Sequence, residues 1–219
     1  FDPDVGRFES HSSGTLDCDG HFYAPNTMQL PDGRRIMWGW VTGFPAGHGW
    51  NGCLSLPRLL SLSRDGQLHQ TPVPQLNKLR GTPVSWRNVS ISDTAKPFAL
   101  PNTNALEISA DIDLDTAEEV RLALAGAKSG TSPIVLSLSG SKFTMTDVDA
   151  PLSTIGKARE VRLRIFIDHS VMEVFINDET CATKLIDPQD GPETLEISTK
   201  DGTVKARHIE AWPMKTIWE

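Results

Sequence analysis

FYAPNTMQLPDGRRIMWGW, residues 22–40, decides how this chain folds. The segment is two strands around a turn. His21 to Leu30 reads as the first strand and Arg35 to Thr42 as its partner. Between them, Pro31-Asp32-Gly33 has the right turn chemistry: proline presets φ, and glycine takes a positive φ without a Cβ clash. Phe22 and Tyr23 precede the turn, and Trp38 and Trp40 follow it. By the two-residue repeat of a strand, Trp38 and Trp40 share one face. A chain with one tyrosine and six tryptophans thus concentrates its rings on one hairpin.

Downstream, a loop carrying Gly43, Pro45, Gly47 and Gly49 leads to a strand over Cys53 to Ser63. Arg64-Asp65-Gly66 is the next turn, and Gln67 to Thr71 a short return strand. That makes about four strands in the first seventy residues, the content of one propeller blade. Such a sheet alone has too little to bury and two open edges. It is expected to need neighbours that this chain does not contain.

Pro72 to Leu79 is the best short helix, with Val73, Leu76 and Leu79 at helical spacing and Gly81 placed to stop it. Strands then resume: Ala105 to Leu114, Val120 to Ala125, Ile134 to Ser139, Lys142 to Thr146, Val161 to Asp168, Ser170 to Ile176, Thr194 to Thr199 and Val204 to Trp212. Short strands with turns at this spacing mean a β-sandwich or barrel. The fold class is therefore all-β: a blade over 1–71, a linker helix over 72–81 and a sandwich over 82–219. Arg162 to Asp168 shifts from alternation to an apolar run, as a strand entering the core does.

Composition excludes several function classes. The net charge of -7 argues against nucleic acid or an anionic membrane as partner, because phosphates want a basic surface. No apolar run reaches the roughly 18 residues that a membrane span needs. Hydrophobic residues make up 38%, enough for a real core and against disorder. Cys18, Cys53 and Cys181 have no CxxC spacing, so neither a zinc site nor any other cofactor is expected. Their odd number leaves at least one thiol free or bonded to another chain. Asn88-Val89-Ser90 is a glycosylation sequon, usable if the chain is secreted. The first residue is Phe, so the chain is expected to be processed, trimmed or a fragment.

A complete active site does not emerge from the residues. Hydrolysis of a glycosidic bond usually needs two carboxyl groups, roughly 5 Å or 6.5–9.5 Å apart. Asp17 and Asp19, two apart, would share a strand face at about 6–7 Å. Two neighbouring acids before a glycine turn nevertheless read as solvated loop residues. Asp168 and Glu173 are five apart and would face opposite ways in one strand. A tight hairpin at His169-Ser170 is the better reading, with Asp168 bonding backbone groups and Glu173 on the outer side of a strand. The histidines (His11, His21, His48, His69, His169, His208) are scattered, and no nucleophile elbow appears. Trp86, Trp212 and Trp218 read as packing for the sandwich or its edges.

Four stretches nevertheless resemble glycoside hydrolase family 32, the invertases, levanases, inulinases and fructan exohydrolases. They are Leu16-Asp17 with Phe22-Tyr23-Ala24-Pro25, Arg34 to Trp40, Ser55-Leu56-Pro57-Arg58, and Arg164 to Phe175. Their order fits, and they span nearly the whole chain. The departures are Asp17-Cys18-Asp19-Gly20-His21 before Phe22, and Leu59 where the family commonly has Glu.

The resemblance implies a five-bladed propeller joined by a short helix to a sandwich, of which this chain is the last blade and the sandwich. It implies a retaining β-fructofuranosidase acting on sucrose or fructans, with no catalytic residue in this chain. The nucleophile, the transition-state-binding Asp and the acid/base Glu would lie on an N-terminal chain of the same precursor, held by propeller closure or by a disulfide through Cys18 or Cys53. Trp38 would border the fructosyl site, with Tyr23 as a nearby wall. The compartment implied is extracellular, secretory or vacuolar. A different reading is a non-catalytic carbohydrate-binding or interface module, the sandwich acting alone with a sugar platform around Trp86.

Overall fold

The computed structural model describes residues 3–8, 13–47, 49–126, 134–140, 142–145, 148–151, 159–187 and 191–218. His11, His48 and Thr146 lie outside them. Phe22–Gln29 (β1) and Arg35–Val41 (β2) pair antiparallel, with Tyr23 opposite Trp40 and Asn26 opposite Trp38. Their turn forms as its chemistry dictates. Leu30 N–H donates to Arg34 C=O, Gly33 N–H to Leu30 C=O, and Gly33 takes φ +87°. A bulge at Ala24 (φ +45°) breaks the register between Tyr23 and Asn26.

The expected strand over 53–63 is two pieces, Cys53–Leu54 (β3) and Arg58–Leu62 (β4), both on β2. Pro57 lies in the gap, and a proline has no N–H to give a ladder. Leu68–Pro72 (β5) completes a five-stranded sheet in the order β1-β2-β4-β5, with β3 also on β2. The linker is a 3-10 helix over Pro74–Leu79 with proline in its first turn, where the missing N–H costs nothing.

The sandwich has two six-stranded sheets among the described residues. One sheet runs Thr180–Leu185 (β15), Val171–Ile176 (β14), Glu160–Asp168 (β13), Ala105–Asp113 (β8), Val204–Pro213 (β17) and Val84–Ile91 (β6). The other runs Val148–Pro151, Lys142–Met145, Ile134–Ser139, Glu119–Gly126, Pro192–Lys200 and Lys96–Ala99. Leu106, Ile108, Leu163, Ile165 and Val174 of the first sheet meet Leu122, Leu124, Leu136 and Leu195 of the second in one core. Each such burial contributes about 1.5–3 kcal/mol.

The edge strands Val84–Ile91, Lys96–Ala99 and Thr180–Leu185 are the main elements that the pattern did not announce. Trp86 packs against the core and meets Phe98 edge-on at 5.2 Å. Trp212 is buried beneath Arg80, whose guanidinium lies 3.8 Å from its ring. Trp218 is exposed rather than packed.

The apolar run in β13 has a different cause from the one expected. Leu163, Ile165 and Ile167 face the sandwich core, while Phe166 belongs to a separate cluster on the sheet's outer face with Phe175 and Cys181. Leu56, Leu76 and Met214, from blade, linker and C-terminal segment, cover that cluster. The strand is covered on both sides, which replaces alternation by a continuous apolar run. The blade sheet therefore does find one neighbour within the chain: the outer face of the sandwich.

Candidate functional site: the two faces of the blade

Arg58 and Met37 are cross-strand partners and so share a face of the blade. This face looks toward the sandwich, and Arg58 is fully buried there. Its Nη2 lies 2.8 Å from Asp17 Oδ2, 2.9 Å from Glu173 Oε2 and 2.7 Å from Thr183 Oγ1. Nη1 donates to Gln70 Oε1. The guanidinium carbon sits 4.2 Å from the centre of the Phe22 ring and 5.3 Å from that of Phe175. Asp17 is held from its other side by Thr183 N–H and Oγ1. One cation thus joins the 14–19 segment, the blade and the sandwich.

The structure corrects the reading of Asp17 and Asp19 as solvated loop residues: both are buried. Asp17 is bonded as above, and Asp19 lies 3.5 Å from Lys184 Nζ and 3.7 Å from His21 Nε2. The loop is extended along β15, with Cys18 N–H bonded to Cys181 C=O, so its acids face protein, not water. Glu173 is on the outer side of its strand, as expected, but the blade buries it. Burial raises the carboxyls of both Asp17 and Glu173, and the Arg58 charge offsets this only in part. Two closed-off carboxylates bound to one guanidinium are a structural joint, not a hydrolytic pair open to water. Asp168 does sit at a tight hairpin, but its carboxylate meets His169 Nδ1 at 2.8 Å rather than the backbone groups expected.

The sequence signal for this joint was available. A lone arginine or glutamate inside an apolar strand, as in Arg58-Leu59-Leu60 and Val171 to Phe175, is kept there only if paired. What pairs with what was not available, because the acids lie 41 and 115 residues from Arg58, and Thr183 lies 166 from Asp17.

The opposite face carries the rings. Tyr23 and Trp40, directly opposed, are 62% and 40% exposed, and Trp38 is half-buried beside Asn26. Trp40 can lie flat because Gly52 has no Cβ; one there would come within 1.7 Å of the indole nitrogen. In the adjoining loop, Phe44 and Trp50 stack edge-on at 4.9 Å. The structure thus brings Tyr23 and Trp38 together on one open surface. Asn88 lies far along the chain on the edge strand β6, exposed, at φ +52°. The three cysteines are free: Cys53 is exposed, Cys181 buried, and burial pushes Cys18 up to about 11. Among the described residues no cluster of metal-ligating side chains occurs, and no helix is long and apolar enough to cross a membrane.

These two units correspond to two matched families of sequence. Residues 1–72 match the family model described as "Glycosyl hydrolases family 32 N-terminal domain", and residues 75–213 match "Glycosyl hydrolases family 32 C terminal". The chain is 29% identical to a levanase of Bacillus sp. (strain L7) over 97% of its own length and 26% of the relative's. It is 31% identical to a sucrose-6-phosphate hydrolase of Escherichia coli, over 95% of this chain and 46% of the relative. It therefore spans between a quarter and a half of these relatives. In structure it resembles fructan 1-exohydrolase IIa from Cichorium intybus, with a TM-score of 0.83 at 22% identity, covering 99% of this chain and 53% of that one. The all-β fold, a blade sheet followed by a sandwich, is shared along the whole chain, and the chain belongs to glycoside hydrolase family 32.

Proposed function

We propose that this chain is the C-terminal part of a retaining β-fructofuranosidase that hydrolyses terminal fructosyl linkages of sucrose or fructans. The observation that carries the reading is the open ring-bearing face of the blade, in a chain of this family with levanase and sucrose-6-phosphate hydrolase relatives. Tyr23 and Trp38 supply the aromatic wall against which the apolar face of a fructosyl unit packs, and Asn26 beside Trp38 offers a polar side chain to its hydroxyls. Trp86 is half-buried, packed against the core and edge-on to Phe98, and so offers less open ring surface than the Tyr23 and Trp40 pair on the blade.

The catalytic carboxylates belong to an N-terminal part of the same precursor. There, one carboxylate attacks the anomeric carbon while a carboxylic acid protonates the departing oxygen. Water then cleaves the fructosyl-enzyme ester, with the second carboxyl group now acting as base. This chain contributes the wall, and the joint that holds the wall in place. The compartment that fits is extracellular, secretory or vacuolar, where Asn88 would be open to glycosylation.

The test is hydrolysis of sucrose and levan by this chain alone and joined to its upstream part. The chain alone is expected to be folded and inactive, and the joined protein to release fructose with retained anomeric configuration. Fructose released by the chain alone would sink the proposal. In the joined protein, Trp38→Ala should lower kcat/KM roughly tenfold or more, about 1.4 kcal/mol of transition-state binding. Intact mass under denaturing, non-reducing conditions shows whether the upstream part is a separate chain.

A further inference from the structure

The ladder of the blade is interrupted beside its most aromatic strand. β4 pairs with Arg35, Ile36 and Met37, and β3 pairs with Trp40 and Val41. Neither covers Gly39, which lies between the two tryptophans. Ser55 fills the gap: its N–H donates to Gly39 C=O at 2.9 Å, and its Oγ accepts Gly39 N–H at 3.0 Å. The Ser55–Pro57 segment sits where Pro57 breaks the strand, so something other than a ladder must fix its course. That part is taken by the sandwich. Glu173 Oε1 accepts Leu56 N–H at 2.6 Å, and its Oε2 pairs with Arg58 at 2.9 Å.

A second route reaches the same glycine. Arg58 lies over the Phe22 ring, and that ring occupies the space a Gly39 side chain would fill, 2.3 Å from an ideal Cβ. Two paths thus run from one sandwich carboxylate to the peptide between Trp38 and Trp40. One goes through Leu56 and Ser55, the other through Arg58 and Phe22.

We propose that Glu173 is a positioning residue: from the sandwich, it sets the course of the Trp38-Gly39-Trp40 strand, and with it the ring face of the blade. The sandwich then acts on the sugar wall without touching sugar. This deepens the functional reading above and rests on it only for its consequence in sugar binding. Asp17, the other carboxylate on Arg58, bonds Thr183 and has no bond to the 55–57 segment. A purely ionic joint would treat the two acids alike; a positioning role separates them.

The experiment is 19F NMR of the 219-residue chain labelled with 5-fluorotryptophan, each signal assigned by Trp→Phe replacement. Glu173→Gln has one acceptor oxygen for two donors, Leu56 N–H and Arg58, so its amide NH2 must face one of them and both routes are disturbed. It is expected to shift the Trp38 and Trp40 signals while those of Trp86 and Trp212 stay in place. Asp17→Asn is expected to move the same pair less. Unmoved Trp38 and Trp40 signals in Glu173→Gln, or equal shifts in the two variants, overturn the proposal. If Glu173→Gln loses its folded spectrum, Ser55→Ala decides, since it removes the Oγ half of the last link, keeps the backbone bond to Gly39 C=O and leaves every ion pair: a shift of the two signals supports the link, and none overturns it. Adding sucrose to the labelled chain joined to its upstream part tests the sugar reading separately. If sucrose leaves Trp38 and Trp40 unmoved while Glu173→Gln shifts them, the wall reading fails and the positioning stands.

Discussion

The outer face of one sandwich sheet carries two buried ionic joints of opposite composition. At one, Glu107 holds two arginines, Arg80 of the linker and Arg164 of its own sheet. At the other, Arg58 holds two acids, Asp17 and Glu173. The central group is fully buried in both, but the flanking groups differ. The side chains of Arg80 and Arg164 keep 23% and 24% exposure, whereas those of Asp17 and Glu173 keep 2% and 4%. At Glu107 the excess charge reaches water along long side chains. At Arg58 the excess charge is negative and sealed in, so only the guanidinium and a few hydrogen bonds offset its desolvation. The Glu107 joint fastens a linker, while the Arg58 joint ties together the 14–19 segment, the blade and the sandwich.

The comparison predicts unequal costs. Arg58→Met strips the bound guanidinium from two sealed carboxylates and should cost about 3–5 kcal/mol, read as a loss of denaturant midpoint at unchanged slope. Glu107→Gln leaves two arginines free to turn toward water and should cost about 1–3 kcal/mol in the same measurement. Equal costs for the two would show that exposure of the flanking groups does not set the difference. Gly39→Ala drives a methyl into the Phe22 ring beneath Arg58 and should cost about 1–3 kcal/mol of overpacking. In a thermal melt its loss should appear in the signals of Trp38 and Trp40 before those of the sandwich tryptophans.

The smallest effect is a slope. Burial raises the folded carboxyls of Glu173 and Asp17 above their ordinary range. The folded chain thus takes up protons where the unfolded chain is still ionised. Their contribution to stability is full below the unfolded value, about 4, and is lost as pH rises through the raised folded values. The stability of the wild type relative to Glu173→Gln should therefore grow as pH falls from neutral toward mildly acid. A difference that shrinks on acidification would mean that Arg58 outweighs burial at this joint.

Much of the architecture was legible because it is local. The Pro31-Asp32-Gly33 turn, the period-two alternation of Trp38 and Trp40, and the Asp168–Val171 hairpin each depend on neighbours within a few residues. Edge strands such as Val84–Ile91 were harder to see. With one side unpaired and many polar side chains, such a strand has no apolar pattern of its own. The ring face was half legible: the sequence placed Tyr23 and Trp38 on one hairpin, and only the register set Tyr23 across from Trp40 and Asn26 across from Trp38.

The sequence alone determined an all-β chain, its family motifs and the rings on its second strand. Those properties follow from turn chemistry and side-chain alternation, which act over a few residues. Tertiary structure alone decided that Asp17 and Glu173 are buried on one arginine, that Phe166 faces the blade, and that a sandwich glutamate bonds the backbone of Leu56 in the blade. Burial and charge pairing are set by whatever packs alongside, and here that lies up to 166 residues away along the chain.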